Sequence, residues 1–528
     1  RLKSTVAEMM ATPTEREQFQ CPSHIANGNY ADPATCRRFY QCVDGFPYMN
    51  RCPSGLYFDD VNKYCNFKDE AKCGPLPTSN SYQAVSAPTP VTDAPADQAQ
   101  RCDTEQCQLP YCFCSKDGTQ IPGGLEAEKI PQIIMLTFDG AVNLNNYDHY
   151  RKIFNGKRTN PNGCIIRGTF FMSHEYSNYQ QIQHLAYEGH EIATQSISQQ
   201  QGLQDKGYEE WVGEMIGMRE ILHHFANVTV NDVVGMRAPF LKPGRNTQYK
   251  VLEDFGYIYD SSITVPPVAV PVWPYTLDFK ISHECKSGTC PSRTFPGVWE
   301  VPLNTHYVEG FEGGHCPYMD QCVLHNLDEN EILEWLQEDF SRYYEQNKAP
   351  YMMPFHTNWF QTKPLENGLH KFLDWAPNFH ATTNPGKTHE NQIGTYHLLV
   401  DYKATFDSSR RDCLYATMSE FGPDVYILTV TQMLQYMTDP KELRDVNNID
   451  AWKCDKSVAV ASKPCNIWST CALSFRVPEQ NITETRYMET CRDCPNVYPW
   501  LGDAGGTGIS GRDNYIFFQL NSLSNRTP

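Results

Sequence analysis

No run of this sequence approaches the ~20 apolar residues of a membrane-spanning helix, so no span is predicted. Basic residues are in the minority: 44 Lys+Arg stand against 62 Asp+Glu, a net charge of -18. That balance argues against nucleic acid and anionic membrane as partners, because both are held by basic surfaces. Zinc-finger organisation is missing as well, since no CxxC pair is matched by partnering histidines. The chain starts at Arg1 with neither an initiator methionine nor a signal peptide, which reads as a mature or truncated start.

Cysteine is abundant. The 21 cysteines fall in clusters, too many for a reducing compartment, and they predict a secreted, extracellular protein. Sequons at Asn227, Asn481 and Asn525 are compatible with that reading. Tyrosine, at 30 residues, leads an aromatic content of 12%, and tyrosine and tryptophan faces suit neutral sugar rings as well as a core. With 528 residues the chain is long enough for a large core and one or more small modules.

Residues 1–20 are polar, aperiodic and predicted to be a disordered tail. Cys21, Cys36, Cys42, Cys52, Cys65 and Cys73 then crowd into 53 residues interleaved with aromatics. So short a segment buries little core and needs disulfide staples, though six cysteines permit fifteen pairings. Residues 74–100, rich in Pro, Ser, Thr and Ala, read as an extended linker. A second group, Cys102, Cys107, Cys112 and Cys114, leads into the main domain at 101–445.

From about Ile130, short apolar runs alternate with longer amphipathic ones. Strands are expected at 133–138, 168–172, 190–194, 233–239, 257–261, 351–356 and 425–430. Helical faces are read from Trp211, Met215, Met218 and Leu222, and again from Ile332, Leu336, Phe340 and Tyr343. This alternation predicts an α/β fold with a parallel sheet, open or closed into a barrel. Sites in such folds lie at the C-terminal ends of the strands, where Asp139, Gln195, Arg237 and His356 all fall. Residues 377–422 interrupt this pattern with an atypical insertion that holds Cys413, the odd thiol, and reads either as a surface loop or as a splice-derived insertion. Residues 446–528 carry five more cysteines and read as a disulfide-rich C-terminal strap.

The six-cysteine module has 14, 5, 9, 12 and 7 residues between successive cysteines. In this it resembles the peritrophin-A chitin-binding domain, against the alternative of another extracellular knot such as an EGF-like module. The resemblance implies Cys21–Cys42, Cys36–Cys73 and Cys52–Cys65 bridges and an N-acetylglucosamine polymer, chitin above all, as partner. Thr137-Phe138-Asp139-Gly140, Gln195-Ser196-Ile197-Ser198-Gln199, Arg237-Ala238-Pro239-Phe240 and Pro354-Phe355-His356 resemble the motifs of the NodB-type polysaccharide deacetylases, carbohydrate esterase family four, within which the chain looks like the insect chitin deacetylases. A deformed parallel (β/α) barrel beside a small disulfide-rich β module at the N-terminus is thereby implied. So are Asp139 as base, Arg237 as its partner and His356 as acid. Pro239, Phe240, Asp260, Trp273 and Trp359 become substrate-binding candidates.

Where that family holds a divalent metal, usually zinc, this sequence has Gly140, Gln195 and Gln199. Glycine has no donor, and glutamine offers only a neutral carbonyl oxygen in place of imidazole or carboxylate. Without the metal a bound water keeps a pKa near bulk solvent, and acid–base help alone is worth about a hundred- to ten-thousand-fold. No cofactor is therefore expected. The leading expectation is an extracellular chitin-binding protein of cuticle or another chitinous matrix whose deacetylase-like domain is catalytically impaired. An active zinc-dependent chitin deacetylase is one alternative, with His174 and Glu175, or His190 and Glu191, as replacement ligands. A scaffold binding matrix proteins through the barrel is the other. His315 and His325, near Cys316 and Cys322, are expected in a disulfide-bound loop rather than a metal site.

Overall fold

A computed structural model describes residues 98–308, 314–378, 424–454, 461–477 and 482–508, apart from isolated positions, together with parts of 28–72. The expectations for residues 1–20, for most of the linker and for nearly all of the 377–422 insertion lie outside the described residues. So do Cys413, His325, Asn481 and Asn525, and the bridges involving Cys21 and Cys73.

In the N-terminal module, β1 (Gly28–Ala31), β2 (Arg38–Val43) and β3 (Phe46–Arg51) form an antiparallel sheet, and β4 (Leu56–Asp59) pairs with β5 (Tyr64–Phe67). The Cys52–Cys65 bridge is present as expected, and Phe39 stacks on Phe58 at 4.7 Å.

The main domain runs β6 (Gln132–Gly140), α1 (Tyr147–Ile153), β7 (Thr169–Ser173), α2 (Tyr179–Tyr187), β8 (Glu191–Ser196), α3 (Tyr208–Ala226), β9 (Gly235–Met236), α4 (Arg245–Asp254) and β10 (Tyr259–Asp260). It continues through β11 (Tyr275–Leu277), β12 (Phe295–Glu300), β13 (His306–Tyr307), β14 (His315–Cys316), α5 (Glu329–Tyr344), β15 (Tyr351–Phe355), α6 (Lys363–Trp375), β16 (Val425–Ile427) and α7 (Val430–Thr438). Nine strands make one sheet in the order β11-β12-β10-β9-β8-β7-β6-β15, with β16 also on β6. Every pairing in it is parallel except β11 with β12. The result is a half-barrel of the expected (β/α) type. Its edge pair β11–β12 lies outside every predicted strand, because Pro296 and Gly297 break the apolar pattern.

The central strands are buried on both faces, which is why β6 reads as a continuous apolar run: all but its last residue are buried. Helix α5 starts at a capping box in which Asp328 accepts from the Glu331 amide and Glu331 reaches back to the Asp328 amide. It buries Ile332, Leu336, Phe340 and Tyr343, each worth about 1.5–3 kcal/mol of apolar transfer. The main domain begins slightly before residue 101, since the Ala99 amide donates to the Ser292 carbonyl and the Gln100 carbonyl accepts from Lys280.

The C-terminal strap is more regular than its cysteines suggested. β17 (Ser469–Val477) and β18 (Ile482–Thr490) form a nine-residue antiparallel ladder, with Cys465–Cys491 and Cys471–Cys494 bridging its base. Cys164–Cys454 ties the β6–β7 connection to the segment leading into the strap.

Candidate functional site

Asp139 is the penultimate residue of β6, Gln195 the penultimate residue of β8, and Arg237 and His356 directly follow β9 and β15. Parallel alignment brings these strand ends to one rim of the sheet. Arg237 is wholly buried and saturated with acceptors. Its Nη1 donates to Asp139 Oδ1 at 2.6 Å and to Thr137 Oγ1 at 3.1 Å, while Nε and Nη2 bond the Ser261 carbonyl and hydroxyl. The guanidinium lies 4.0 Å over the Phe171 ring. A planar fork with five donors suits this task, and lysine could not replace it.

The second oxygen of Asp139 is also occupied. Gln195 Nε2 donates to Oδ2 at 3.1 Å, and Tyr318 Oη donates to the same atom at 2.6 Å. An ionised carboxylate only accepts, so it fixes the orientation of the Gln195 amide. The Gln195 carbonyl therefore faces away and accepts from Gln199 Nε2 at 2.7 Å. The turn carrying both glutamines is built by Glu214 of α3, which accepts from the backbone amides of Ile197 and Ser198, each at 2.9 Å. Burial raises the Glu214 pKa, opposed by the Ser198 and Ile197 donors.

Tyr318 and Asp320 are absent from the sequence reading. They sit after β14 in a loop pinned by Cys316–Cys322; His315, expected within that disulfide-bound loop, lies in β14 directly before its first cysteine. Asp320 accepts from the His356 backbone amide at 2.9 Å and meets its Nδ1 at 3.1 Å. Burial works to lower the His356 pKa, but the Asp320 hydrogen bond and the Asp139 and Asp320 charges outweigh it and raise the pKa. Burial first, then the charge of Asp139, holds the Tyr318 pKa well above its ordinary value, so this hydroxyl stays a donor. Its ring lies 4.1 Å from the His356 ring. No carboxylate beside His356 is expected from the sequence; the residue that meets it is Asp320. The bracketing cysteines, six residues apart, were the available signal.

Three substrate-binding expectations need correction. Asp260 is wholly buried, accepting from Gln248, Tyr249 and Ser262 beside Glu300. Trp273 is 1% exposed and donates its indole N–H to the Asn347 carbonyl, so it offers no face to a ligand. Trp359 is also core, 5.2 Å from Phe355. Of the remaining two, Pro239 is buried, whereas Phe240 is 49% exposed at a φ of +59°.

The residues at the rim do not fit a catalytic divalent metal. Gly140 contributes no donor, the Gln195 amide is spent on Asp139 and Gln199, and a neutral carbonyl is a weak ligand beside imidazole or carboxylate. Among the described residues, no group of three or more His, Cys, Asp or Glu side chains could hold a metal ion. The replacement ligands are committed elsewhere. His190 and Glu191 lie at the start of β8, the end opposite Gln195; Glu191 bonds Tyr259, Thr169 and Thr431, and His190 accepts from the Gly168 amide. His174 is buried against Tyr179 and Tyr498, where burial drops its pKa to about 3, and Glu175 pairs with Arg486.

Comparison with known proteins gives this site its context. The Chitin binding Peritrophin-A domain matches residues 21–73. The chain is 33% identical to Chitin deacetylase 1 of Bombyx mori over 90% of its own length and 88% of that protein, and 28% identical to Chitin deacetylase 8 of the same species over 77% and 93%. Among solved structures, the chitin deacetylase of Colletotrichum lindemuthianum aligns at 15% identity over 46% of this chain and 82% of its own, with a TM-score of 0.24, too low to carry weight. The identity and coverage shared with the first relative show that this chain belongs to the chitin deacetylase family of polysaccharide deacetylases, with a peritrophin-A chitin-binding domain at its N-terminal end.

Proposed function

We propose that this is a protein of an extracellular chitinous matrix whose half-barrel holds chitin without hydrolysing its N-acetyl groups. The observation that carries the reading is the Asp139–Gln195–Gln199 chain of hydrogen bonds, which stands where the family resemblance puts a base and its metal ligands. Asp139 accepts from Arg237, Gln195 and Tyr318 together, so no donor-free carboxylate oxygen faces a nucleophilic water. The chitin-binding module supports the choice of ligand and adds avidity through a tether. No described helix is long and apolar enough to cross a membrane.

A hydrolytic reading draws support from the intact Asp139–Arg237 and Asp320–His356 pairs. The deciding experiment combines metal analysis of the purified full chain with acetate release from N-acetylglucosamine oligomers. Substoichiometric zinc and no acetate release above background are expected. Stoichiometric zinc with sustained turnover would overturn the reading. A barrel that serves only as a protein scaffold would show no oligomer-dependent change at Phe240 or His356.

A further inference from the structure

We propose that the outer face of the β17–β18 hairpin and the adjoining β7–α2 loop form a second saccharide contact, in which Tyr176 and Tyr487 stack on rings of an N-acetylglucosamine chain leaving the Asp139–His356 rim. The inference rests on the chitin-holding reading above. Tyr176, in the turn after β7, is 79% exposed, and Tyr487, on β18, is 65% exposed.

The two tyrosines are neighbours by construction. Glu175 forms an ion pair with Arg486, and the Asn178 amide donates to the Glu489 carboxylate, so residues 175–178 run beside residues 486–489 with one exposed tyrosine on each. Tyr176 is held at a φ of +65°, a costly conformation for a side-chain-bearing residue. Across the ladder, Tyr487 faces Ala472, and Thr485 and Glu489 of the same face oppose Ser474 and Thr470. These neighbours are small or polar, which leaves the Tyr487 ring uncovered beside a strip that carries the Thr470, Ser474 and Thr485 hydroxyl groups. Beneath that strip the Arg486 guanidinium lies 3.8 Å over Phe475, 5.4 Å from the Tyr498 ring and 5.3 Å from the Trp500 ring, which fixes the platform from below.

The platform is continuous with the rim. Asn143, three residues beyond Gly140, donates to the Tyr176 carbonyl at 3.1 Å. Asn146 of the same loop donates to Thr357 Oγ1, next to His356, at 2.8 Å. One short loop thus spans from His356 to Tyr176, with Leu144 exposed along it. The ligand chemistry follows from the surface. Rigid aromatic faces suit the C–H faces of sugar rings, and the hydroxyl strip suits hydroxyl and acetamido groups. Arg486 is shared between Glu175 and Glu484, and Glu489 adds a further carboxylate, so this acidic surface and the net charge of -18 disfavour an anionic polymer and leave an uncharged N-acetylated polysaccharide as the ligand.

Hydroxyl-radical footprinting of the full chain with an N-acetylglucosamine hexamer tests this, because it reports each tyrosine separately from the N-terminal module. Protection is expected at Tyr176 and Tyr487 together with Phe240 and His356. Protection of Phe240 and His356 alone would overturn this inference and leave the chitin-holding reading standing. No protection at any of the four would overturn both. Because both tyrosines are exposed, Tyr176→Ala and Tyr487→Ala leave the core untouched. Each is expected to raise by about five- to tenfold the hexamer concentration that half-protects Phe240, and an unchanged midpoint in both would again overturn the inference.

Discussion

Gly140 sits at a φ of +104°, a region that side-chain-bearing residues rarely adopt, although a Cβ there would meet nothing within 4 Å. Space is available for an aspartate; the backbone conformation is not. The triple substitution Gly140→Asp, Gln195→His and Gln199→His should therefore cost about 1–3 kcal/mol of stability from backbone strain at this position. Urea denaturation of the triple variant against Gln195→His/Gln199→His isolates that cost, and equal midpoints would show that the backbone at 140 relaxes freely. The Asp320–His356 contact gives a second prediction at this scale. The folded pKa of His356 lies above its unfolded value, so its contribution to stability is complete below the unfolded pKa and disappears as pH rises through the folded one. Asp320→Asn should shift the His356 titration to lower pH in histidine-selective NMR and should destabilise more at pH 5.5 than at pH 9. A titration midpoint unmoved by the substitution would rule out Asp320 as the cause.

At the scale of elements, β10 and β12 meet in a buried acidic pair, Asp260 and Glu300, with the Tyr249 hydroxyl 2.9 Å from one and 3.2 Å from the other. Burial raises both pKa values, that of Glu300 well above its ordinary range, with Asp260 as its next cause. A carboxyl whose folded pKa is raised stabilises most below its unfolded pKa, and that contribution is lost as pH climbs through the folded value. Glu300→Gln should therefore flatten the decline of Tm between pH 5 and pH 8 and raise Tm at the alkaline end. A parallel decline in variant and wild type would refute this. The same elements show what could be read in advance. β6 through β8 and β15 were legible because strands buried on both faces need unbroken apolar runs. α3 and α5 were legible because their buried faces recur at helical spacing. β11–β12 was not, since an antiparallel edge strand tolerates Pro296 and Gly297. The loop bearing Tyr318 and Asp320 was not either, because a disulfide positions it and periodicity does not. Asp260, Trp273 and Trp359 were misplaced for a related reason: polar and aromatic residues close to the rim in sequence can turn into the core, and spacing alone does not reveal the direction.

Across the whole molecule, Cys164–Cys454 closes a loop of 290 residues that includes most of the sheet. In the chain-entropy account such a closure restricts the unfolded ensemble by about 5–6 kcal/mol, above the roughly 0–5 that measured bridges span. The double substitution Cys164→Ala/Cys454→Ala should lower Tm by several degrees and leave the Cys471–Cys494 bridge of the hairpin intact. Calorimetry with peptide mapping of the remaining bridges checks both, and an unchanged Tm would mean that packing alone fixes the strap. Arg237 carries a different lesson for the molecule as a whole. It is a cation with no exposed surface, ion-paired at 2.6 Å to Asp139. Removing one partner of such a pair strands the other and typically costs about 3–5 kcal/mol. The aspartate that once read as a catalytic base is thus also the counter-ion that lets the sheet close over an arginine. Folding alone is reason enough for an aspartate at position 139, so its presence by itself is no argument for hydrolysis.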